Sequence, residues 1–196
     1  SLDATVAAIY RSALVAVPAN VPLLARLAAA TPQEVARSEE LRALERTAQS
    51  ALPPGTLMER AGTAAAARIA TLQTSSQASI CVVCGPGNNG GDGYIAASKL
   101  QAAGYRVTCV QLAKPLADDA RNAHTQWRAL GGATSTSLPV REKFDVIVDA
   151  MLGIGQTRPL QGRLLEGAQW VNAQHARVIA LDVPSGLDAD RGCWVG

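Results

Sequence analysis

The sequence predicts an α/β fold, a Rossmann-like three-layer αβα sandwich with a mostly parallel sheet. Short apolar runs alternate along the chain with longer helical patterns, which is typical of parallel strands joined by crossover helices. The runs are largely apolar, as expected for strands covered by helices on both faces. The first of these runs also leads directly into a glycine-rich segment and then into a helical pattern, in the order strand, turn, helix.

The predicted elements follow in chain order. A helix begins at Ser38, and the sequence Pro53-Pro54-Gly55 ends it and turns the chain. A second helix runs from Thr56 to about residue 72, with alanines on a close-packed face. Strands are then predicted at 78–84, 105–112, 144–149 and 177–183, and helices at 94–103, 115–131 and 159–174. No closing element is predicted at the carboxyl end.

We expect one domain over residues 36–196, preceded by an N-terminal extension, 1–35, of unknown role. The 196 residues can bury a substantial core, and 48% hydrophobic with 17% charged residues is a globular composition. In the extension, Asp3 stands where a signal peptide would be basic, and Pro18 and Pro22 interrupt the apolar run. The extension is therefore too short and too broken to span a membrane.

Composition also narrows the function classes. A net charge of +2, no Lys/Arg run and only three Trp, three Tyr and one Phe give little support to nucleic-acid binding. Four cysteines without a secretory signal predict reduced thiols in a cytoplasmic protein. Cys81 and Cys84 have C-x-x-C spacing, but an offset of three within a strand points the side chains to opposite faces. We therefore predict two buried thiols and no redox pair.

The glycine-rich segment 85–93 has the sequence GPGNNGGDG and precedes a helix, where backbone N–H groups can hold an anion or a polar ligand. Gly85, Gly87 and Gly90 fit the dinucleotide fingerprint G-x-G-x-x-G, which alone is a weak signal. A dehydrogenase that uses NAD also carries an acidic residue after the second strand. Here Ala113 and Lys114 follow that strand, which argues against such an enzyme.

Polar side chains follow three of the predicted strands. Asp92 either caps the next helix or contacts a ligand, and the preceding asparagines either supply left-handed backbone geometry or bind a polar ligand. Asp149 ends another strand, and Asp182 with Ser185 ends the last; each aspartate alone is also explained as a cap or turn residue. Because ligands bind beyond the carboxyl ends of strands in doubly wound sheets, we expect these groups to converge.

At these residues the chain resembles the NAD(P)HX epimerase family, also called the YjeF N-terminal domain family. The resemblance covers roughly residues 36–192 and rests on four motifs in matching order: 57–62 (LMERAG), 85–93 (GPGNNGGDG), 149–155 (DAMLGIG) and 181–188 (LDVPSGLD). Members epimerise the R and S forms of hydrated NADH and NADPH, in which water has added across a ring double bond and left a hydroxyl at carbon 6.

The resemblance implies which residues form the site. The substrate is expected to contact Asn88, Asn89, Gly90, Gly91, Asp92, Gly153, Ile154, Gly155, Gln156, Thr157, Arg158, Pro159 and Asp182. Arg158 is the expected phosphate contact; Lys114 is a weaker candidate, for which a solvated surface lysine is the favoured interpretation. A potassium ion is implied at Asn89, Asp149 and Ser185, whose oxygen atoms suit a hard cation.

We expect Asp182 to be the catalytic acid and base, with Asp92 as its rival. Loss of the hydroxyl, helped by the ring nitrogen lone pair, followed by water addition to the other face would invert carbon 6. A carboxyl group that gives and takes a proton is sufficient for this, and such catalysis is typically worth about 10²–10⁴-fold.

The resemblance further implies an ADP- or ATP-dependent NAD(P)HX dehydratase as a partner, fused or separate, and a homodimer. Family domains continue with further strands beyond the segment that matches Gly192, so the chain is expected to be truncated at its carboxyl end. Three alternatives stay open: a non-catalytic ligand-binding or dimerisation module of the same fold, a redox enzyme using intact NAD, and a phosphate-binding domain whose polar strand ends only cap.

Overall fold

The computed structural model describes residues 38–72, 75 and 77–195, so the predicted extension, 1–35, lies outside the described residues. The described helices are α1 (Ser38–Ala51), α2 (Thr56–Thr71), α3 (Asn88–Ala102), α4 (Asp118–Ala129) and α5 (Gly162–Asn172). The strands are β1 (Ser79–Cys84), β2 (Arg106–Gln111), β3 (Ala133–Ser135), β4 (Val146–Ala150), β5 (Arg177–Ala180), β6 (Leu187–Asp188) and β7 (Cys193–Trp194).

The first five strands form one parallel sheet in the order β3-β2-β1-β4-β5. In the register, Val83 of the central β1 pairs with Val110 of β2 and with Asp149 of β4. Parallel neighbours joined by helices confirm the predicted α/β class. Strand β3 was not predicted, because its three residues lie at the sheet edge, are partly exposed and lack an apolar run.

Two hydrophobic cores cover the two faces of the sheet, which confirms the three-layer arrangement. Helices α2, α3 and α4 pack on one face, and α5 packs on the other. Cys84 lies in the first core and Cys81 in the second, and both are free and buried, as predicted from their spacing. None of the described helices has the length and hydropathy needed to cross a bilayer.

Two element boundaries and the carboxyl end differ from the sequence prediction. Helix α3 begins at Asn88, six residues early, because Gly87 takes the N-cap position and most of the glycine-rich segment is helical. Strand β5 ends at Ala180, since Asp182 has a φ of 66° and left-handed backbone cannot continue a strand. The described chain also ends in an antiparallel β6–β7 hairpin, where we predicted no closing element.

Candidate active site

The start of α3 lies at the carboxyl end of the central strand β1. The backbone N–H groups of Asn88, Asn89 and Gly90 donate no hydrogen bond to the described residues, and the first helical bond runs from Gly91 N–H to the Gly87 carbonyl at 3.3 Å. Free N–H groups and the positive end of the helix dipole favour an anion or another hydrogen-bond acceptor here.

The structure excludes the capping explanations for this segment. Asp92 is the fifth residue of α3, and Gly87 is the N-cap, so Asp92 does not cap the helix. Neither Asn88 nor Asn89 has a positive φ, so they are not needed for left-handed geometry. A ligand-binding role for these three side chains stays a prediction.

The glycines at the start of α3 serve close packing. A Cβ on Gly90 would lie 2.1 Å from the Gly85 carbonyl oxygen, and one on Gly91 would lie 2.5 Å from the Met58 side chain. A larger residue at Gly90 would push α3 away from the end of β1, and one at Gly91 would meet the neighbouring helices α2 and α4. The sequence analysis assigned these glycines to ligand approach, whereas here they bring the helix start close to the strand ends.

Asp149, at the end of β4, braces two loops. Its carboxylate accepts hydrogen bonds from Ser185 Oγ (2.7 Å), from Ser185 N–H (2.8 Å) and from Met151 N–H (3.1 Å). Ser185 Oγ in turn accepts from Leu152 N–H at 3.0 Å. Burial raises the pKa of Asp149, while the hydrogen bonds from Ser185 and Met151 oppose that rise. The predicted residues Asp149 and Ser185 are thus in direct contact.

Asp182 lies just beyond β5 and is the one non-glycine residue with positive φ in the described chain. Its Oδ2 accepts a hydrogen bond from Ile154 N–H at 2.7 Å. A Cβ on Gly153 would lie 2.1 Å from the same oxygen, so only glycine leaves room for this carboxylate. The strained backbone is a feature that often accompanies functional sites.

Three carboxyl groups from separate elements lie near enough to one another to interact electrostatically, and we call Glu45, Asp92 and Asp182 the carboxylate cluster. Burial raises the pKa of Asp92 well above its usual range, and the charges of Asp182 and Glu45 raise it further. Burial also raises the pKa of Asp182, against the hydrogen bond from Ile154. The pKa of Glu45 is raised first by burial and then by Asp182, while Arg42 lowers it. A proton is therefore readily held within the cluster.

Helix α1 places Glu45 in the cluster, which the sequence analysis missed. The Ser38 N–H donates to Asp190 Oδ1 at 2.7 Å, and a Cβ on Gly155 would lie 2.8 Å from Arg42 Nη2. Helix α1 therefore lies beside the loop that follows β4. Arg42 and Glu45 are three residues apart and share a helix face, and this spacing was the available signal.

The loop 153–159 contains both site-facing and bracing residues. Gln156 is buried, and both ends of its amide are used internally: Oε1 accepts from Gly186 N–H at 2.7 Å, and Nε2 donates to the Arg158 carbonyl at 3.1 Å. The structure thus gives Gln156 a bracing role. Thr157, Arg158 and Pro159 are exposed at the rim. Lys114 is exposed as well, which favours its interpretation as a solvated lysine.

Asn89 has an unsatisfied buried side chain. It is 9% exposed, and neither Oδ1 nor Nδ2 has a hydrogen-bond partner. An unpaired buried amide is costly, so such a group is normally satisfied by a water molecule, an ion or a ligand. The Asn89, Asp149 and Ser185 set offers amide, carboxylate and hydroxyl oxygens, which suit a hard monovalent cation. No group of three His, Cys, Asp or Glu side chains within the described residues suits a metal ion.

A cleft of about 430 Å³ borders this region and reaches the predicted site at Asn88. It runs between the α1–α2 turn and the start of α4 and is lined by Gln49, Leu52, Pro53, Pro54, Gly55, Thr56, Leu57, Asn88, Ala117, Asp118 and Asp119. The carboxylate cluster does not line this cleft. The start of α3 therefore borders this cleft at Asn88, whereas the carboxylate cluster lies outside it.

Comparison with known proteins shows which family and which proteins this chain is similar to. Residues 54–196 match the family described as YjeF-related protein N-terminus. The chain is 45% identical over 165 residues to the NAD(P)H-hydrate epimerase of Bordetella pertussis, covering 83% of this chain and 71% of that protein. It is 40% identical over 170 residues to the NAD(P)H-hydrate epimerase of Rhodobacter capsulatus, covering 80% and 79%.

Two further comparisons extend the picture. The bifunctional NAD(P)H-hydrate repair enzyme of Leishmania braziliensis is 40% identical over 143 residues, which are 69% of this chain but 25% of that enzyme. The crystal structure of yeast ynu0 superposes with a TM-score of 0.70 at 21% identity, covering 80% of this chain and 72% of that one, a likeness of fold. The converging strand ends and the family match over most of the chain lead to one conclusion: the chain belongs to the YjeF-related N-terminal domain family, as the resemblance implied.

Proposed function

We propose that this chain is an isomerase that interconverts the R and S epimers of hydrated NADH and NADPH. The observation that carries the proposal is Asp182, a carboxyl group with a raised pKa, which Ile154 N–H holds in place and which also raises the pKa of Asp92 in α3. Relatives at 40–45% identity that are named NAD(P)H-hydrate epimerase support it. A repair role for damaged nicotinamide nucleotides follows from that substrate.

The chemistry needs one proton donated and one proton accepted. Protonated Asp182 gives its proton to the hydroxyl on carbon 6, the carbon–oxygen bond breaks, and the lone pair of the ring nitrogen forms an iminium cation. Water then adds to the opposite ring face and returns a proton to a carboxylate. No atom is oxidised or reduced, and the oxygen of the product comes from solvent. A carboxyl with a raised pKa is suited to both steps.

The remaining predicted residues would bind and orient the substrate. The unpaired N–H groups of Asn88, Asn89 and Gly90 offer donors to phosphate or ribose oxygens. Arg158 at the exposed rim of the loop 153–159 offers a positive charge to the pyrophosphate. Asp92 would lie at the reacting end of the substrate, since its charge opposes a phosphate directly beside it.

A potassium ion is part of the proposal, with Asn89, Asp149 and Ser185 as its holders. The unpartnered Asn89 Oδ1 and the contact between Asp149 and Ser185 support this assignment. When bound, the ion would supply positive charge that orders the β4 and β5 loop ends and offsets their buried carboxylates. It takes no part in bond making.

A non-catalytic module of the same fold is the main alternative. The chain carries Asp92, Asp149 and Asp182, and the raised pKa values of Asp92 and Asp182 suit these carboxyl groups to proton transfer, which favours an enzyme. A dehydrogenase using intact NAD is disfavoured, because β2 ends at Gln111 and only Leu112, Ala113 and the exposed Lys114 follow it directly.

The wider setting is also proposed. The Leishmania relative is named a bifunctional NAD(P)H-hydrate repair enzyme, which supports a second repair activity beside the epimerase. We propose that an ADP- or ATP-dependent dehydratase, fused or separate, is the partner that consumes one epimer. A homodimer and a cytoplasmic location remain predictions of the sequence analysis, to be tested by light scattering and by fractionation.

The test uses an epimer mixture of hydrated NADH with an excess of a purified dehydratase. Adding the chain should make the unreactive epimer disappear at a rate that is proportional to the concentration of added protein. In ¹⁸O-labelled water the recovered epimers should gain one labelled oxygen. Unchanged consumption of that epimer contradicts the proposal, whereas reduction or oxidation of intact NAD with simple alcohols or ketones would favour the dehydrogenase.

A further inference from the structure

We infer that Glu45 of α1 is a second acid–base group of this site, acting on the ring face opposite to Asp182. The inference rests on the proposed epimerase function and adds a residue that lies outside the motifs of the sequence analysis. One carboxyl group is sufficient for inversion by loss and return of a hydroxyl, but a second group lets proton donation occur on the face that the hydroxyl leaves and proton acceptance on the face where water adds. A pair of carboxyl groups on separate elements provides both without a change of conformation.

The placement of α1 carries the argument. The helix is tied at Ser38 to Asp190 by a 2.7 Å hydrogen bond, and one turn later Arg42 lies against Gly155. Glu45 follows three residues later on the same helix face and is partly buried. The loop from Gly153 to Gly155 therefore has the Asp182 carboxylate against one glycine and Arg42 against the other.

The hydrogen-bond pattern separates Glu45 from a structural carboxylate. Within the described part of the chain, the side chains of Glu45 and Asp92 accept no hydrogen bond and form no ion pair within 4.0 Å, whereas Asp182 is held by Ile154. Glu45 nevertheless lies close enough for Asp182 to raise its pKa. A partly buried carboxyl without a protein partner is free to exchange a proton with a ligand.

A second observation, at the start of α3, points to a ligand. Asn89, one turn before Asp92 on α3, is nine-tenths buried with an unpartnered amide. The charged and titratable groups that face Glu45 are Asp92 from α3, Asp182 from the β5 loop and Arg42 from α1 itself. One proton and one negative charge distributed between Glu45 and Asp182 give the donor and acceptor that inversion requires.

The step balances. Glu45 in its acid form protonates the hydroxyl on its side, water leaves, and the iminium cation forms. A second water adds on the other side and gives its proton to the Asp182 carboxylate. In the reverse direction Asp182 donates and Glu45 accepts, and proton exchange with solvent resets the pair. The reaction consumes no oxidant, reductant or cosubstrate.

The test compares Glu45→Gln with Glu39→Gln, which removes an exposed carboxyl from the same helix. In the coupled epimer assay, Glu45→Gln should lower kcat about 10²-fold with little change in KM, while Glu39→Gln should retain the rate of the unmodified chain. The melting temperature of Glu45→Gln should be equal to or higher than that of the unmodified chain, because a charge that repels Asp182 has been removed. The pH–rate profile should lose one of its two limbs, and the loss combined with Asp182→Asn should be less than multiplicative.

Opposite outcomes overturn the inference. A kcat within twofold of the unmodified chain excludes a proton-transfer role. A lower melting temperature with raised KM and an unchanged pH profile assigns Glu45 to structure through Arg42. If the unmodified chain does not epimerise the substrate, the proposed function is wrong. If the unmodified chain is active and Glu45→Gln has the same activity, only the inference about Glu45 is wrong.

Discussion

Asp145 and Asp182 lie at opposite ends of the strands of the same parallel sheet. Asp145 lies where the strands begin, which we call the amino edge, and Asp182 lies where they end, which we call the carboxyl edge. Their surroundings shift the pKa of the carboxyl group in opposite directions. Asp145, before β4, is exposed and accepts hydrogen bonds from Ser79 N–H (2.7 Å) and Ser79 Oγ (3.1 Å), which lower its pKa. Asp182 is partly buried beside Asp92 and Glu45, and burial raises its pKa. The amino edge stabilises the ionised form of Asp145, whereas the carboxyl edge favours the protonated form of Asp182.

This difference teaches where chemistry can occur in the fold. In parallel strands, the loops at the carboxyl edge carry the side chains toward one another, so desolvation and like charges accumulate there. Asp145, at the amino edge of this sheet, uses its carboxylate to accept hydrogen bonds from Ser79, and its backbone carbonyl accepts one from Arg177 N–H. These contacts join neighbouring strands. The predictions below test whether the contrast is functional.

Removing the proton-carrying carboxyl should have the largest effect. Asp182→Asn should lower the rate of epimerisation by about 10²–10⁴-fold, because the amide cannot donate and recover a proton. Binding of the hydrated cofactor, measured by calorimetry, should change little. Asp145→Asn at the other edge is the matched control and should keep the full rate; near-normal activity of Asp182→Asn would remove it from its proposed role.

Displacing the same carboxyl should have the next largest effect. Gly153→Ala would place a methyl group 2.1 Å from Asp182 Oδ2, and a shift of about 1 Å can cost about 10²-fold in rate. Gly155→Ala meets only the far end of the flexible Arg42 side chain, at 2.8 Å, and should cost much less. Steady-state kinetics of the pair decides; equal losses would show that the position of Asp182 is not critical.

The potassium proposal gives a smaller effect, read by thermal denaturation. Potassium should raise the melting temperature more than sodium at equal ionic strength, because it binds the folded state. Asn89→Ala should weaken that response by at least about tenfold in potassium concentration. Asn122→Ala, an exposed asparagine of α4, is the control. The same response in both variants would remove Asn89 from the cation site.

The smallest effect is the pH dependence of the free energy of unfolding, and the two edges should contribute with opposite sign. The folded pKa of Asp145 is lowered, so its stabilisation is present above its ordinary value of 3.8 and is lost as the pH falls below it. The folded pKa values of the carboxylate cluster are raised, so its stabilisation is lost as the pH rises above the ordinary values of about 4.

Urea denaturation from pH 3 to 8 checks both slopes. Asp145→Asn should flatten the acid side by less than about 1 kcal/mol, since the group is exposed. Asp182→Asn should flatten the side above about pH 4. Identical pH curves for both variants would contradict the contrast between the edges.

Much of the architecture was predictable from local pattern. The core strands, the alternation with helices and the opposite orientations of Cys81 and Cys84 follow from buried apolar runs and the two-residue period of a strand. Strand β3 escaped prediction because an edge strand needs no apolar run. The start of α3 was misplaced because glycine-rich sequence is a poor helix former, and tight packing on β1 and α2 overrides that preference.

The candidate site divides in the same way. The recognisable motifs identified Asp92, Asp149, Asp182 and Ser185 as strand-end groups, and the structure brings Asp149 into contact with Ser185 and Asp182 into the same cluster as Asp92. Glu45 and the bracing role of Gln156 were missed. Both depend on what lies across space from them, which spacing along the chain does not encode.

The sequence by itself determined the class of fold, the family and the residue types at the strand ends, because apolar periodicity and short motifs are local properties of the chain. Only the tertiary structure decided that Asp182 would adopt a left-handed backbone beside Gly153 and that a carboxyl group of α1 would join it. Desolvation and charge repulsion act between segments distant in sequence, and their strength depends on separations that exist only once the chain has folded.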